Sequence, residues 1–289
     1  MKTVAIIGAG RLGTSLGRAL AQHGYKVDAL SCRSLESCQE SRGLIGQGDV
    51  YTDNLQAALQ GQIVFLTLPD DVIPRVTVEL ASASAEWSKK FVFHCSGILS
   101  SLALEPLQKL GALTASLHPM QSFASKNLKP GAFQEIYFGM EGDAQALSLA
   151  QEITQALGAK HLILKPENKP LYHAASSAAS NFLVVLFDIA VRLLSEITKS
   201  EDEASAMLFP LVQGTLQNVK EFDTSGALTG PIIRGDKITL KKHLEAMQAF
   251  PEQKKIYRHL AAEVLRMAGR TKQLLPHELK EMQALLEEK

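Results

Sequence analysis

Near its start the chain reads "TVAIIGAG" and then "RLGTSLGRALAQHG", an apolar strand that runs through a glycine turn into an amphipathic helix. Gly8, Gly10 and Gly13 have the G-x-G-x-x-G spacing in that strand–turn–helix context, which is where the spacing specifies a dinucleotide-binding turn. Gly8 permits the tight turn, Gly10 lets a pyrophosphate approach the backbone, and Gly13 lets the helix pack close to the strand. The first helical N–H groups, at Arg11 and Leu12, add the positive end of the helix dipole.

Strand and helix signals then keep alternating. "KVDALSC", "QIVFLTLP", "KFVFHCSG" and "ALTASLHP" read as strands, with helices expected at 34–42, 54–60, 71–83 and near 101–110. "EIYFGMEG" and "KHLILK", separated by a helix at 143–157, extend the sheet to about residue 165. The rhythm predicts an α/β fold with a doubly wound, Rossmann-type parallel sheet. After "KPENKP" the pattern becomes all-helical. One long helix is expected at 171–198, apolar on nearly every side and so placed in a core. Further helices are expected at 201–221 (kinked at Pro210), 239–249, 252–269 and 276–288, with 223–238 as a long glycine-rich loop. The division is 1–166 for nucleotide binding and 167–289 for a helical substrate and dimerisation domain.

A chain of 289 residues is long enough for two such domains. Its 30 basic residues balance 30 acidic ones, which gives a nucleic acid or an anionic membrane no electrostatic hold. The first apolar run is too short for a signal peptide before glycine ends it. "FLVVLFDIAVRLL" (182–194) carries Asp188 and Arg192 at i,i+4 spacing. It falls short of the roughly 20 apolar residues a membrane span requires, so a buried helix with an internal ion pair is expected. Cys32, Cys38 and Cys95 cannot all pair and lack metal-ligand spacing, which suits a reducing, cytoplasmic setting and no metal.

The tip of the second strand decides the cofactor. A carboxylate there would accept from the ribose hydroxyls of NAD. Instead the chain has Ser31, Arg33 and Ser34, a cation and hydroxyls suited to a 2′-phosphate, with Arg11 nearby. NADP(H) is therefore expected. Ligands of open α/β sheets sit beyond the carboxyl ends of the strands. Thr67 and Pro69 fall where a nicotinamide-bearing ribose passes, Ser96 and Gly97 at the next tip, and His118 at the one after. Pro119 lacks an N–H and is expected to end the strand's pairing. His94 is expected to be a satisfied core histidine and Cys95 a simply buried thiol. On the long helix, His173, Ser177, Ser180, Val184 and Asp188 share a stripe of about 80°, flanked by Asn181. Function and close helix packing explain the serines about equally, while His173 and Asn181 are candidate site residues.

"GAGRLG", "SCRS", "TLPDDVI", "HCSG", "SLHPMQSF", "YHAASSAASNF" and "LTGPIIRGD", in this order, resemble a family of bacterial Rossmann-like proteins described as NADP oxidoreductases, whose C-terminal helical domain is uncharacterised. That family is related to pyrroline-5-carboxylate reductase, deazaflavin-dependent NADP oxidoreductases and prephenate dehydrogenase. The resemblance implies dimerisation through the helical domain. The prephenate dehydrogenase likeness implies a catalytic histidine at His118, with Ser96 and His173 as matching positions. Their substrate-carboxylate arginine has no clear counterpart; Arg234 is a candidate substitute. The 3-hydroxyacid dehydrogenases carry a lysine four residues before an asparagine on this helix, but position 177 is Ser. The expectation is an NADP(H)-dependent oxidoreductase of a small polar metabolite. His118 would be its general acid or base, His173 the second choice, and Ser96 and Asn181 would orient the substrate. A non-catalytic NADP(H) sensor or structural protein, and a reductase of flavins or metal chelates, compete with it.

Overall fold

The computed structural model describes residues 2–127, 131–270 and 274–287. It divides into two compact units, Met1–Phe182 and Leu183–Lys289. Residue 288, included in the last expected helix, lies outside the described residues.

The N-terminal unit alternates β1 (Thr3–Ile7), α1 (Arg11–Gln22), β2 (Lys26–Ser31), α2 (Leu35–Ile45), β3 (Asp49–Tyr51), α3 (Asn54–Gln60), β4 (Ile63–Leu66), α4 (Ile73–Ser82) and β5 (Phe91–His94). A short α5 (Glu105–Gln108), β6 (Leu113–Pro119), β7 (Tyr137–Gly142), α6 (Ala144–Ala156), β8 (Lys160–Ile163) and α7 (Lys169–Ala179) complete it. The eight strands form one sheet in the order β3-β2-β1-β4-β5-β6-β7-β8. Strands β1 to β6 run parallel, β7 is antiparallel to β6, and β8 is parallel to β7. Helices cover both faces, which is why the central strands read as unbroken apolar runs. Leu16, Leu20 and Phe93 pack on one face and Leu66, Leu80 and Trp87 on the other, all buried. The strand order reverses between β1 and β4, the switch point at which open α/β sheets bind ligands.

Pro119 does not end the pairing of β6. The parallel ladder with β5 stops at His94 and Ser116, but the antiparallel ladder with β7 continues through His118–Gly139 and Pro119–Phe138. The Met120 N–H then donates to the Tyr137 carbonyl. Backbone N–H groups alternate sides along a strand, so the missing donor of Pro119 faces the side where β5 has already ended.

The expected single helix at 171–198 is two helices. α7 stops at Ala179, Ser180 is a distorted turn residue at φ −116° and ψ −70°, and α8 (Asn181–Ser195) follows. The polar stripe from His173 to Asp188 is therefore not continuous. Nor is α8 buried: Val184 is 68% exposed and Phe182 61%. The i,i+4 pair Asp188–Arg192 does form, at 2.9 Å, at the surface. The whole run Pro166–Ser195 is long and apolar enough to cross a membrane by length and composition alone. However, Lys169 and Tyr172 at its start are packed into the N-terminal unit.

The C-terminal unit contains the rest of α8, α9 (Glu201–Gly226), α10 (Lys237–Ala246), α11 (Pro251–Arg270) and α12 (Pro276–Glu287). Leu240, Leu265, Ala268 and Met282 form its core. Helix α9 continues past Pro210, and its non-helical residue is Asp223, at φ 62°. The expected loop at 223–238 is correspondingly shorter, because helix reaches Gly226 and resumes at Lys237.

Candidate active site

Two groups of candidate residues lie along the edge formed by the carboxyl ends of the parallel strands. The first is the glycine turn. Gly8 has φ +91°, which favours glycine, and its N–H donates to the Ser31 carbonyl. A Cβ on Gly13 would lie 2.4 Å from Thr67 Oγ1 and 2.6 Å from the Gly8 carbonyl oxygen, so only glycine lets α1 start this close to the strands. A Cβ on Gly10 would meet only the Gly8 oxygen, at 3.9 Å, leaving the approach to the backbone open. The N-terminus of α1 has no acidic residue in its first turn and no side-chain cap, so its first N–H groups remain available to an anion. A dinucleotide pyrophosphate fits this cradle.

The neighbouring candidates divide. Thr67 is committed to the turn: its hydroxyl donates to the Gly8 carbonyl at 2.8 Å. Pro69 is exposed beside it. Ser31 is fully buried and donates to Asn54 Oδ1 at 2.8 Å, so its hydroxyl is not free for a 2′-phosphate. Ser34 is the N-cap of α2, accepting from the Ser37 N–H. Arg33 and Arg11 are exposed, and Arg11 lines a surface hollow with Lys126 and Glu40. Arg33 with the start of α2 is what remains at the β2 tip to receive a phosphate.

The second group surrounds the tips of β5 and β6. His118 Nδ1 lies 2.9 Å from the Tyr172 hydroxyl, and the His173 ring stands edge-on to the His118 ring at a centroid distance of 6.1 Å. Both histidines close over Gly97. A Cβ there would come within 2.5 Å of His173 Cδ2 and 2.9 Å of His118 Nε2. On the far side of Tyr172, a Cβ on Gly139 would lie 2.6 Å from the ring's Cζ. Glycine at 97 and 139 thus makes room for the three rings.

Lys169 ties this group to the sheet. It is fully buried, and its Nζ donates to the Ser96 carbonyl at 3.1 Å and to Ser116 Oγ at 2.5 Å. Burial, against a partial offset from Glu141, lowers its pKa to about 8. Glu141, also buried, accepts from the Ser101 N–H and hydroxyl. The sequence reading missed Lys169 and Tyr172. The signal was present, since both lie on the face of α7 that carries His173, at i, i+3 and i+4 from Lys169.

Burial, then the charges of Lys169 and His173, push His118 down to about 4, well below the ordinary imidazole value behind the sequence expectation. His94 is a satisfied core histidine, with Nε2 at 3.0 Å from the Ser100 carbonyl and Nδ1 accepting from the Ser96 N–H. The Cys95 thiol is pushed up to about 12 by burial. Ser96 is buried, and its hydroxyl accepts from the Ile98 and Leu99 N–H groups, so it shapes the turn under Gly97. Asn181 is exposed at the start of α8, outside the hydrogen bonds that join Ser96, Ser116, His118, Lys169 and Tyr172. Arg234 belongs to the C-terminal unit, where it lines a shallow depression with Thr229, Gly230 and Ile233.

Residues 1–119 match the model of a Rossmann-like domain, and residues 136–264 match DUF2520, a domain of unknown function. No curated protein matches the sequence. Among solved structures, the chain is similar to a Bacteroides fragilis protein described as "putative NADP oxidoreductase BF3122". That match has 22% identity, covers 91% of this chain and 97% of that one, and has a TM-score of 0.78. Protein TM1727 from Thermotoga maritima is similar at 27% identity over 93% of this chain and 99% of that one, with a TM-score of 0.69. The Plasmodium falciparum pyrroline carboxylate reductase with NADP bound is 13% identical over 98% of each chain, with a TM-score of 0.59. Identities this low speak to the shared fold.

Proposed function

We propose that this chain, which joins a Rossmann-like domain to a DUF2520 domain, is an NADP(H)-dependent oxidoreductase acting on a small polar metabolite, a carbonyl/alcohol or imine/amine pair. The observation that carries the reading is the closure of His118 and His173 over Gly97, on the same sheet edge as the glycine turn. When bound, the nicotinamide supplies or accepts the hydride. The chain's own residues would bind and orient. The N–H groups of α1 and the backbone at Gly10 would hold the pyrophosphate, Arg33 and the Ser34 cap of α2 would meet a 2′-phosphate, and Thr67 and Pro69 would border the nicotinamide ribose. His118 would meet the substrate's reacting polar atom, with His173 beside it. Ser96 would act through the turn it caps.

A homodimer and a reducing, cytoplasmic setting accompany this reading. The first is supported by the exposed apolar residues of α8 and α9, among them Val184, Leu211 and Phe222, and the second by three free cysteines. The test measures NADPH binding, and turnover on a carbonyl and imine panel, for wild type, His118→Ala and His173→Ala. His118→Ala should lower kcat about 10²- to 10⁴-fold, with NADPH affinity near wild type. Unchanged turnover in both variants removes the assigned roles. NADPH binding with no oxidation on any substrate would favour a nucleotide sensor.

A further inference from the structure

We propose that Tyr172 and Lys169 are positioning residues that hold His118 as a neutral imidazole with its proton on Nε2, so that the site offers a carbonyl oxygen a fixed hydrogen-bond donor rather than a charged imidazolium. The inference deepens the reading of His118 as the residue that meets the substrate, and rests on it only for the identity of the acceptor.

The hydrogen bonds assign the proton. The phenol of Tyr172 has one hydrogen to donate. Two acceptors lie within reach, His118 Nδ1 at 2.9 Å and the His118 carbonyl at 3.5 Å, and the nearer is the ring nitrogen. Nδ1 is then the acceptor and the ring hydrogen of a neutral imidazole sits on Nε2. The opposite assignment would require Nδ1–H to donate to the phenol, leaving the phenol's hydrogen only the poorer contact at 3.5 Å. Burial pushes the phenol up to about 12, so it remains a donor at neutral pH. Nε2 has no protein partner among the described residues and packs against Gly97, where a Cβ would come within 2.9 Å of it.

The charges assign the protonation state. On α7, Lys169 and His173 face His118, and both disfavour its cation. At the end of β5, His94 is neutral and fully hydrogen-bonded, and Cys95 just after it keeps its proton. Glu141 on β7 and Asp70 after β4 act on Lys169 by attraction, and Glu141 is already held by Ser101. Among the described residues no carboxylate hydrogen-bonds the His118 ring, so none of them compensates a positive imidazolium there. A neutral Nε2–H above a buried ammonium suits an oxygen that carries or gains negative charge, and opposes a cationic iminium nitrogen.

The test is a two-bond ¹H–¹⁵N correlation spectrum of the full chain labelled at histidine, without cofactor, from pH 5.5 to 8.0. His118 is assigned by its absence in His118→Gln. The wild type should show a pyridine-like Nδ1 and a pyrrole-like Nε2 that do not titrate across this range. Tyr172→Phe should move Nδ1 toward a mixed-tautomer position and lower kcat about 10-fold or more, with KM and NADPH affinity little changed. Lys169→Met should bring an imidazolium signal in at a higher pH than in wild type. If Lys169→Met does not fold, the wild-type and Tyr172→Phe spectra decide. An imidazolium at pH 6.5 in the wild type, or a ring proton on Nδ1, overturns the proposal. The spectrum needs no turnover, so a neutral Nε2–H tautomer in a protein whose His118→Ala variant keeps full activity would sink the functional reading and leave this one standing.

Discussion

The Nζ of Lys169 donates to the Ser96 carbonyl at 3.1 Å from a fully buried position, so one ammonium joins the first turn of α7 to the tip of β5. The same group donates to Ser116 on β6. Its charge thus lies directly beneath the turn over which the two histidines close.

This placement has a pH signature. In the unfolded chain Lys169 keeps its proton up to its ordinary value near 10.5, and in the folded protein only to about 8. Between those values the unfolded state binds more protons, so folding stability rises with pH through the window. The penalty of holding the buried cation is in full force below pH 8. Its relief is on the order of 3 kcal/mol across the whole window. Urea unfolding at pH 7, 8, 9 and 10 should show wild type gaining stability relative to Lys169→Met as pH rises. A stability difference that does not change with pH contradicts the assignment.

Gly97→Ala should separate binding from chemistry. The new methyl would press on both His118 and His173 at distances a Cβ cannot keep, and either the rings or the turn must move. Displacing reacting groups by about 1 Å costs on the order of 100-fold in rate. Turnover should fall by that amount while NADPH titration stays near wild type, because the glycine turn at Gly8–Gly13 is untouched. Equal loss of NADPH affinity and turnover would argue against this view.

Arg33 should decide cofactor preference. It is the exposed cation at the β2 tip, while Ser31 is engaged with Asn54. A charge-assisted hydrogen bond to a phosphate contributes about 1.5–3 kcal/mol. Arg33→Ala should therefore weaken NADPH binding roughly 10- to 100-fold and leave NADH binding unchanged, as read by fluorescence titration. Parallel loss for both cofactors would place Arg33 elsewhere in the site.

The exposed apolar residues of the C-terminal unit give a prediction about assembly. Val184 on α8 is 68% exposed and Leu211 on α9 66%. The proposed homodimer would cover these residues, since large exposed apolar patches mark interaction sites. Sedimentation velocity should give a dimer for the wild type and a monomer for Val184→Glu combined with Leu211→Glu. A wild-type monomer at micromolar concentration would refute it.

Much of the N-terminal unit was legible because its signals are local. Gly8, Gly10 and Gly13 encode a turn by their spacing, and the apolar runs of β1 and β4 announce strands covered on both faces. Three features were not legible. β3 is only Asp49–Tyr51, too short to carry a pattern. The antiparallel direction of β7 follows from a connection after Pro119 that has no crossover helix among its described residues, which strand patterning does not show. The exposure of α8 could not be read from periodicity, because a helix apolar all round looks the same whether its own chain covers it or not. At the candidate site, His118 and His173 stood out as polar residues in apolar surroundings. Lys169 was hidden inside "KPENKP", which marked the boundary between the two patterns, although its partner at 96 lies at a strand tip the sequence had already marked.

Tyr172 occupies the space that a side chain at position 139 would need. Substitution at either position is consequently constrained by the other. A chain with any residue larger than glycine at 139 must shrink or turn the ring at 172, and it then loses the hydroxyl on His118. In the opposite direction, a chain that keeps the tyrosine has no choice at 139. Related sequences should therefore change these two positions together, so that glycine at 139 marks the chains that use an aromatic hydroxyl to set their histidine.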